Sequence, residues 1–112
     1  MRKHVLYVER NLLLPHLMSG EKTLEVRQPS WFMNSIRVGD ELFFNLECTC
    51  IVKAIRRYKS FVDLVQTEDP SLVLPDSDAT SLLQFLQKLW PVTSAGKCDR
   101  NGVLVFELEL AT

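Results

Sequence analysis

The alternation of apolar and polar residues along the chain predicts about five β-strands. The last strand is the clearest, because the residues from Val103 to Leu110 alternate without interruption. Every second side chain of a strand lies on the same face. One face of this strand therefore carries Leu104, Phe106, Leu108 and Leu110. The other strands are expected at Lys3–Val8, Thr23–Arg27, Glu41–Phe44 and Thr49–Tyr58.

A helical spacing of apolar residues replaces this alternation from about Asp78 onward, until Pro91 ends it. Ser77 or Asp78 is expected to cap the start of this helix, because both side chains accept hydrogen bonds from free backbone N–H groups. Its apolar face is predicted to consist of Leu82, Phe85, Leu86 and Leu89.

A second, shorter helix is predicted over Asn11–Ser19. Pro15 belongs in its first turn, where the missing N–H costs nothing, and Gly20 suits the left-handed conformation that ends a helix. The segments Gln28–Arg37 and Asp63–Asp78 contain prolines and polar residues and are expected to be irregular or loop-like.

These elements predict an α+β domain in which a mixed sheet of about five strands closes into a small PUA-like β-barrel with two short helices. A doubly wound parallel sheet is not expected, because it would need more crossover helices. Residues 1–112 are interpreted as a single domain, which is long enough to enclose a hydrophobic core.

The charge balance excludes one class of protein. Thirteen Lys and Arg residues against fourteen Asp and Glu residues give a net charge of −1. A protein that coats nucleic acid through bulk positive charge would carry a clear basic excess. Any nucleic-acid binding must therefore depend on a local patch or a pocket.

The chain has no apolar segment long enough for a membrane span or a signal peptide, so we expect neither. Its three cysteines are Cys48, Cys50 and Cys98, an odd number without the spacing of a disulfide framework. They are interpreted as reduced thiols in a cytoplasmic protein. A lone Cys-x-Cys pair is not typical of a metal site, and no metal or other cofactor is predicted.

The segment Gly20–Arg27 carries the most informative side chains. On a strand, Thr23, Glu25 and Arg27 share a face, while Lys22 lies at the end of that strand. Such a cluster can bind a phosphate or the polar edge of a base, and desolvation of Lys22 would lower its pKa toward that of a base or nucleophile. The alternative is a solvated strand face with exposed ion pairs.

The order of these residues resembles that of the ASCH domain family, whose fold is similar to the PUA barrel. The motif is Gly20-x-Lys22-Thr23-x-Glu25-x-Arg27, followed by Val38-Gly39-Asp40 before a strand. The resemblance covers nearly the whole chain, including Ser60-Phe61 after the longest strand and a late helix ending near Trp90-Pro91.

The resemblance implies a function on RNA or nucleosides. Some small bacterial members remove the acetyl group from acetylated cytidine, and a ribonuclease activity is also reported in the family. Lys22 matches the family's catalytic lysine, Glu25 occupies the position of its threonine, and Arg27 matches an arginine that would bind substrate. The later catalytic acid would be one of Glu68, Asp69, Asp76 and Asp78.

The sequence hypothesis is therefore a cleft that binds RNA or a modified nucleoside and hydrolyses it if the protein is an enzyme. Lys22 and Glu25 are the predicted catalytic residues. The predicted binding residues are Thr23, Arg27, Trp31, Arg56 and Arg57. Alternatives are a non-catalytic RNA-binding module, a ribonuclease for single-stranded RNA and a protein-interaction adaptor. No pattern in the sequence indicates an oligomeric state.

Two of these predictions have structural alternatives. Trp31 would stack on a base or would close one end of the barrel. The basic run that contains Arg56 and Arg57 would follow an RNA backbone or would protect an edge strand from aggregation.

Overall fold

Five strands form one mixed sheet in the computed structural model of the protein, which describes residues 2–90 and 102–111. The strands are β1 (Lys3–Leu6), β2 (Leu24–Arg27), β3 (Glu41–Phe44), β4 (Cys48–Tyr58) and β5 (Val103–Leu110). Their order across the sheet is β1-β3-β4-β5-β2, with β1 parallel to β3 and the other pairs antiparallel. The sheet curls into a half-barrel, which confirms the predicted α+β, PUA-like fold class.

Five short helices accompany the sheet within the described residues, where two were expected. They are α1 (Leu14–Ser19), α2 (Trp31–Asn34), α3 (Phe61–Thr67), α4 (Pro70–Val73) and α5 (Ala79–Leu89). The additional helices α2, α3 and α4 replace segments that were expected to be irregular. Each of these three helices has a capping side chain at its start that accepts a hydrogen bond from a backbone N–H of the first turn. The capping residues are Ser30, Ser60 and Asp69.

The predicted C-terminal end of α1 and the predicted start of α5 are both found in the structure. Gly20 ends α1 with a left-handed φ of +83°, and Pro15 lies in the first turn. Asp78 caps α5, and the Ser81 side chain bonds back to the Asp78 backbone to complete a capping box. Pro91, the predicted end of α5, lies outside the described residues. Helix α1 starts at Leu14, later than predicted.

Strand β1 ends at Leu6, two residues earlier than the sequence predicts. The side chain of Asn45 accepts a hydrogen bond from the Val8 N–H at 2.9 Å and donates one to the Val8 carbonyl at 3.1 Å. A side chain therefore satisfies the backbone groups that a neighbouring strand would otherwise bind.

The two faces of β5 pack into two different hydrophobic clusters, as its alternation predicts. Leu104, Phe106 and Leu108 face the cluster inside the curl of the sheet, with α1, β1, β3 and β4. Val103 and Val105 face the cluster formed with α3, α4 and α5. The sheet is thus covered on both sides at β5, where the residues from Val103 to Phe106 are all buried.

The cysteines that the structure describes are both in β4. Cys48 and Cys50 are buried free thiols, and burial raises the pKa of Cys50 to about 12. Cys98 lies outside the described residues. No helix in the described part of the chain is long and apolar enough to cross a membrane.

Candidate functional site

The backbone around Lys22 is held between two helices. After Gly20 ends α1, the N–H of Lys22 donates to the His16 carbonyl at 3.0 Å. The next N–H, from Thr23, donates to the Leu72 carbonyl of α4 at 3.0 Å. This segment joins α1 to α4 immediately before β2 begins, and it points the side chain of Lys22 into the interior.

The ammonium group of Lys22 is surrounded by three oxygen atoms. Its Nζ donates to the backbone carbonyls of Leu24 and Val73, each at 2.6 Å, and lies 3.1 Å from Glu25 Oε1. An ammonium has three N–H groups, so these contacts satisfy all of them. Burial lowers the pKa of Lys22 from its usual value, and the adjacent carboxylate of Glu25 opposes that change.

Glu25 connects Lys22 to Arg27. Its second oxygen, Oε2, accepts a hydrogen bond from Arg27 Nε at 2.6 Å, and Arg27 Nη2 donates to the Tyr7 carbonyl at 2.7 Å. Burial by itself would raise the pKa of Glu25, but the charges and hydrogen bonds of Lys22 and Arg27 lower it. Two cations therefore enclose one anion, and the cluster carries a net positive charge.

This cluster lines a cavity of about 310 Å³ between β2, α5 and the chain that follows β1. Lys22, Glu25, Arg27 and Glu9 supply the charged groups of the lining, and most of the exposed lining is apolar. The apolar and aromatic walls include Tyr7, Leu12, Val26, Phe85, Leu89 and Trp90. Ligand sites are typically cavities of this size or larger with a few polar groups on apolar walls.

The aromatic walls of this cavity are the part that sequence reasoning missed. Phe85 and Leu89 were assigned to the core face of the last helix, yet both line the cavity, and Leu89 is half exposed. Trp90 belongs both to the core and to the cavity wall. Its ring stacks on Phe61 with centroids 6.0 Å apart, and it also lines the cavity. The spacing of these residues is that of a buried helix face, so no local pattern in the sequence distinguishes cavity-lining residues from core residues.

Two predicted binding residues, Thr23 and Trp31, line neither of the two cavities described here. Thr23 is half buried, its backbone bonds to Leu72 and Leu108, and it is not among the described residues that line the cavity. Trp31 begins α2 and is 85% exposed, with an edge-to-face contact to Phe32. The structure therefore does not bring Trp31 or Thr23 into the cavity with Lys22.

The guanidinium of Arg56 makes ion pairs with two carboxylates. Its Nε lies 2.5 Å from Glu68 Oε2, and its Nη1 lies 2.8 Å from Glu107 Oε1. The hydroxyl of Tyr58 also donates to Glu68. These hydrogen bonds raise the pKa of Arg56 further above its usual value. Arg56 thereby links β4 to β5 and to the end of α3.

None of the four later acids lines the Lys22 cavity within the described residues. Glu68 pairs with Arg56, while Asp69 and Asp78 cap helices. Another acid, Glu9, does line the cavity, and its carboxylate accepts a hydrogen bond from the Leu12 N–H.

A second cavity, of about 290 Å³, lies between α2 and β4. Its lining includes Arg37, Arg56, Arg57, Ile36, Ile55 and Leu104. Asn34 holds two of the arginines. Its backbone carbonyl accepts from Arg37 Nη1 at 2.6 Å, and its side-chain oxygen accepts from Arg57 Nη2 at 2.8 Å.

His4 and Asp40 form a second buried polar pair, which sequence reasoning did not connect. His4 Nε2 lies 2.9 Å from Asp40 Oδ2, and the carboxylate also accepts the backbone N–H groups of Arg2 and Arg37. The hydrogen bond to His4 is the main cause that lowers the pKa of Asp40 well below its usual value. The pair fixes the turn before β3 against β1.

Comparisons with known proteins identify the fold. No protein-family model and no curated protein sequence matches the chain. Among solved structures, the hypothetical protein PH0355 is 21% identical with a TM-score of 0.85, covering 99% of this chain and 100% of that one. Protein PF0455 from Pyrococcus furiosus is 24% identical with a TM-score of 0.76, covering 98% and 97%.

A third similar structure is the ASCH domain from Lactobacillus crispatus JV V101. It is 11% identical with a TM-score of 0.58, and the match covers 97% of this chain and 79% of that one. At these identities the comparisons show the fold. The resemblance found in the sequence is therefore confirmed at that level: this chain has an ASCH-like, PUA-type fold.

Proposed function

We propose that this protein binds RNA or a modified nucleoside by enclosing one base in the cavity lined by Lys22, Glu25 and Arg27. The observation that supports this most strongly is the cluster of Lys22, Glu25 and Arg27, in which two cations flank one carboxylate, among the apolar and aromatic walls of the cavity. Aromatic side chains stack on bases of any sequence, and the ASCH-like fold is compatible with RNA binding.

Arg27 is the group best placed to contact the ligand. The guanidinium has five N–H groups, and the contacts above use one at Nε and one at Nη2. The remaining N–H groups of Arg27 can donate to a base carbonyl or a phosphate oxygen. Lys22 differs, because its three donors already bind protein oxygens, so it holds Glu25 in position and contributes positive charge.

Amide hydrolysis is the second candidate, and it rests on the direct contact between Lys22 and Glu25. The carboxylate of Glu25, which lines the cavity, would accept the proton of a water molecule attacking the acetyl carbonyl of acetylated cytidine. Lys22 would exchange one carbonyl contact for the developing oxyanion. The proton then goes to the departing base nitrogen, and the products are cytidine and acetate.

Calorimetric titrations with cytidine, N4-acetylcytidine and a short single-stranded RNA test the binding proposal. We expect Arg27→Gln to weaken binding about tenfold, since a charged hydrogen bond is lost. Lys53→Ala is the matched control: it also removes one cation, but Lys53 is exposed, pairs with Glu109 at 3.7 Å and lines neither cavity. Absence of binding to all three ligands contradicts the proposal and favours a protein-interaction adaptor.

Turnover is tested separately by following acetate release from N4-acetylcytidine and cleavage of single-stranded RNA. A hydrolase should lose at least about 10²-fold in rate in Lys22→Met, and Arg27→Gln provides a second variant if Lys22→Met does not fold. Binding without release of acetate contradicts the hydrolysis candidate and supports a non-catalytic RNA-binding module. Cleavage of RNA alone identifies a ribonuclease.

We further propose that the protein acts in the cytoplasm. The support is that Cys48 and Cys50 are buried free thiols in β4, as is usual in a reducing compartment.

A further inference from the structure

We propose that the cavity between α2 and β4 binds the phosphodiester group next to the base held in the Lys22 cavity, so that the ligand is an RNA strand of at least two nucleotides. This inference rests on the proposed function and specifies the ligand of the same site.

The register of the sheet places the two cavities side by side. Leu104 of β5 is paired with Arg27 of β2 on one side and with Arg57 of β4 on the other. Directly paired residues on neighbouring strands project their side chains to the same face. Arg27 lines the first cavity, while Leu104 and Arg57 line the second. One row of three residues therefore connects the cavities.

The separation along this row suits adjacent groups of one ligand. Neighbouring strands lie about 5 Å apart, so the backbones of Arg27 and Arg57 are about 10 Å apart across two strand spacings. Because arginine side chains are long, the base and the phosphate that they bind can be closer together or farther apart than the two backbones. A base in the first cavity and a phosphate in the second can thus belong to the same short strand.

The charge of the second cavity favours an anion. Three arginines line it, and none of its described lining residues is acidic. Arg56 is neutralised by Glu68 and Glu107. Arg37 is exposed, and its guanidinium contacts carbonyl oxygens, of Asn34 at 2.6 Å and Ile36 at 3.3 Å, which orient it without cancelling its charge.

The shape of the second cavity adds to this preference. Its floor is formed by apolar side chains such as Ile36, Ile55 and Leu104. Asn34 orients both Arg37 and Arg57 from one position at the end of α2. Guanidinium groups match phosphate oxygens with two parallel hydrogen bonds, and an apolar floor strengthens the attraction by excluding water.

The test compares the affinities of a cytidine dinucleotide, cytidine and inorganic phosphate by calorimetry. We expect the dinucleotide to bind more tightly than cytidine, and Arg37→Ala to reduce dinucleotide affinity about tenfold without changing cytidine affinity. Arg37→Ala should also reduce the slope of log K against log salt by about 0.7, as expected for one phosphate contact on a single strand. Lys53→Ala, which removes one positive charge elsewhere, should leave the difference in affinity between the dinucleotide and cytidine unchanged.

Three results would overturn this inference. They are a dinucleotide that binds no more tightly than cytidine, an Arg37→Ala variant that binds the dinucleotide normally, and inorganic phosphate that binds as tightly as the dinucleotide. If cytidine still binds, each of these results overturns only this inference, and the base-binding function stands. If the wild-type protein binds neither cytidine nor the dinucleotide, the proposed function fails as well.

Discussion

Lys22 and Glu25 form a buried ion pair, with Nζ 3.1 Å from Oε1 and residue exposures of 3% and 5%. The remaining oxygen of Glu25 is bound by Arg27, and the other donors of Lys22 bind backbone carbonyls. Every charged atom of the pair therefore has a partner. This matters because an ion in a protein interior is tolerated only when its lost contacts with water are replaced.

Removal of the Glu25 charge should strongly destabilise the fold. In Glu25→Gln, Lys22 and Arg27 become two like charges around a neutral amide. We expect the free energy of unfolding to fall by about 3–5 kcal/mol, as when one partner of a buried pair is removed. Urea unfolding measures the change. The control Glu109→Gln breaks the exposed pair with Lys53 and should cost well under about 1 kcal/mol. Similar losses in the two variants would contradict this account.

The contribution of Asp40 should depend on pH. Its pKa is lower in the folded protein than in the unfolded chain, so the carboxylate stabilises the fold above about pH 4 and this contribution is lost as the pH falls further. At pH 7 we expect Asp40→Asn to cost about 2 kcal/mol, the value of a buried charged hydrogen bond.

Urea unfolding of wild type and Asp40→Asn at pH 7, 5 and 3 checks this dependence. The difference between the two proteins should be smaller at pH 3 than at pH 5, because the Asp40 carboxylate of the unfolded chain becomes protonated between these two values. A difference at pH 3 that equals or exceeds the difference at pH 5 would contradict the lowered pKa of Asp40.

Leu89 allows the Lys22 cavity to be tested without disturbing the core. It lines the cavity and is 50% exposed, so Leu89→Ser removes apolar contact area from the ligand at little cost in stability. We expect affinity for the nucleoside or RNA to fall about three- to tenfold. Thermal unfolding should remain close to that of wild type.

Met18→Ser is the matched control for Leu89→Ser. Met18 is 49% exposed on α1 and lies outside both cavities. Equal losses of affinity in the two variants would mean that the ligand does not occupy the cavity beside α5.

Gly102 should be the glycine least tolerant of substitution among those described. Its φ is +77°, and a Cβ placed on it would lie 2.8 Å from the Tyr58 carbonyl oxygen. Gly102→Ala should therefore cost more than about 2 kcal/mol, the upper end of the left-handed penalty alone. Gly39→Ala, with φ +95° and open space at Cβ, carries only the conformational penalty. Equal urea midpoints for the two variants would contradict this.

The strands and the longest helix could be predicted from the sequence because their signals are local. The alternation of β5 identified both of its faces, and the spacing of apolar residues identified α5. Gly20 ended α1 as expected, since a left-handed residue after the last turn satisfies backbone groups within the same few residues. The prolines were misleading in one segment, which was expected to be loop-like, because Pro70 begins α4 there.

The candidate site was predictable in part for the same reason. Lys22, Glu25 and Arg27 are neighbours in sequence, and their ion pairs form within six residues. The partners that complete the site are distant: Val73 is 51 positions from Lys22, and Tyr7 is 20 positions from Arg27. No local pattern brings such residues together, because strand order and helix packing determine their proximity.

The sequence by itself therefore determined the secondary structure of the longer elements, the ASCH-like motif and the residue types of the buried cluster. Only the tertiary structure decided that the cluster has aromatic walls from α5, that Glu68 binds Arg56, and that Arg27 and Arg57 flank Leu104. The physical reason is that hydrophobic periodicity specifies which face of an element is buried. The strand register and the packing of the whole chain specify which residues of other elements lie against that buried face.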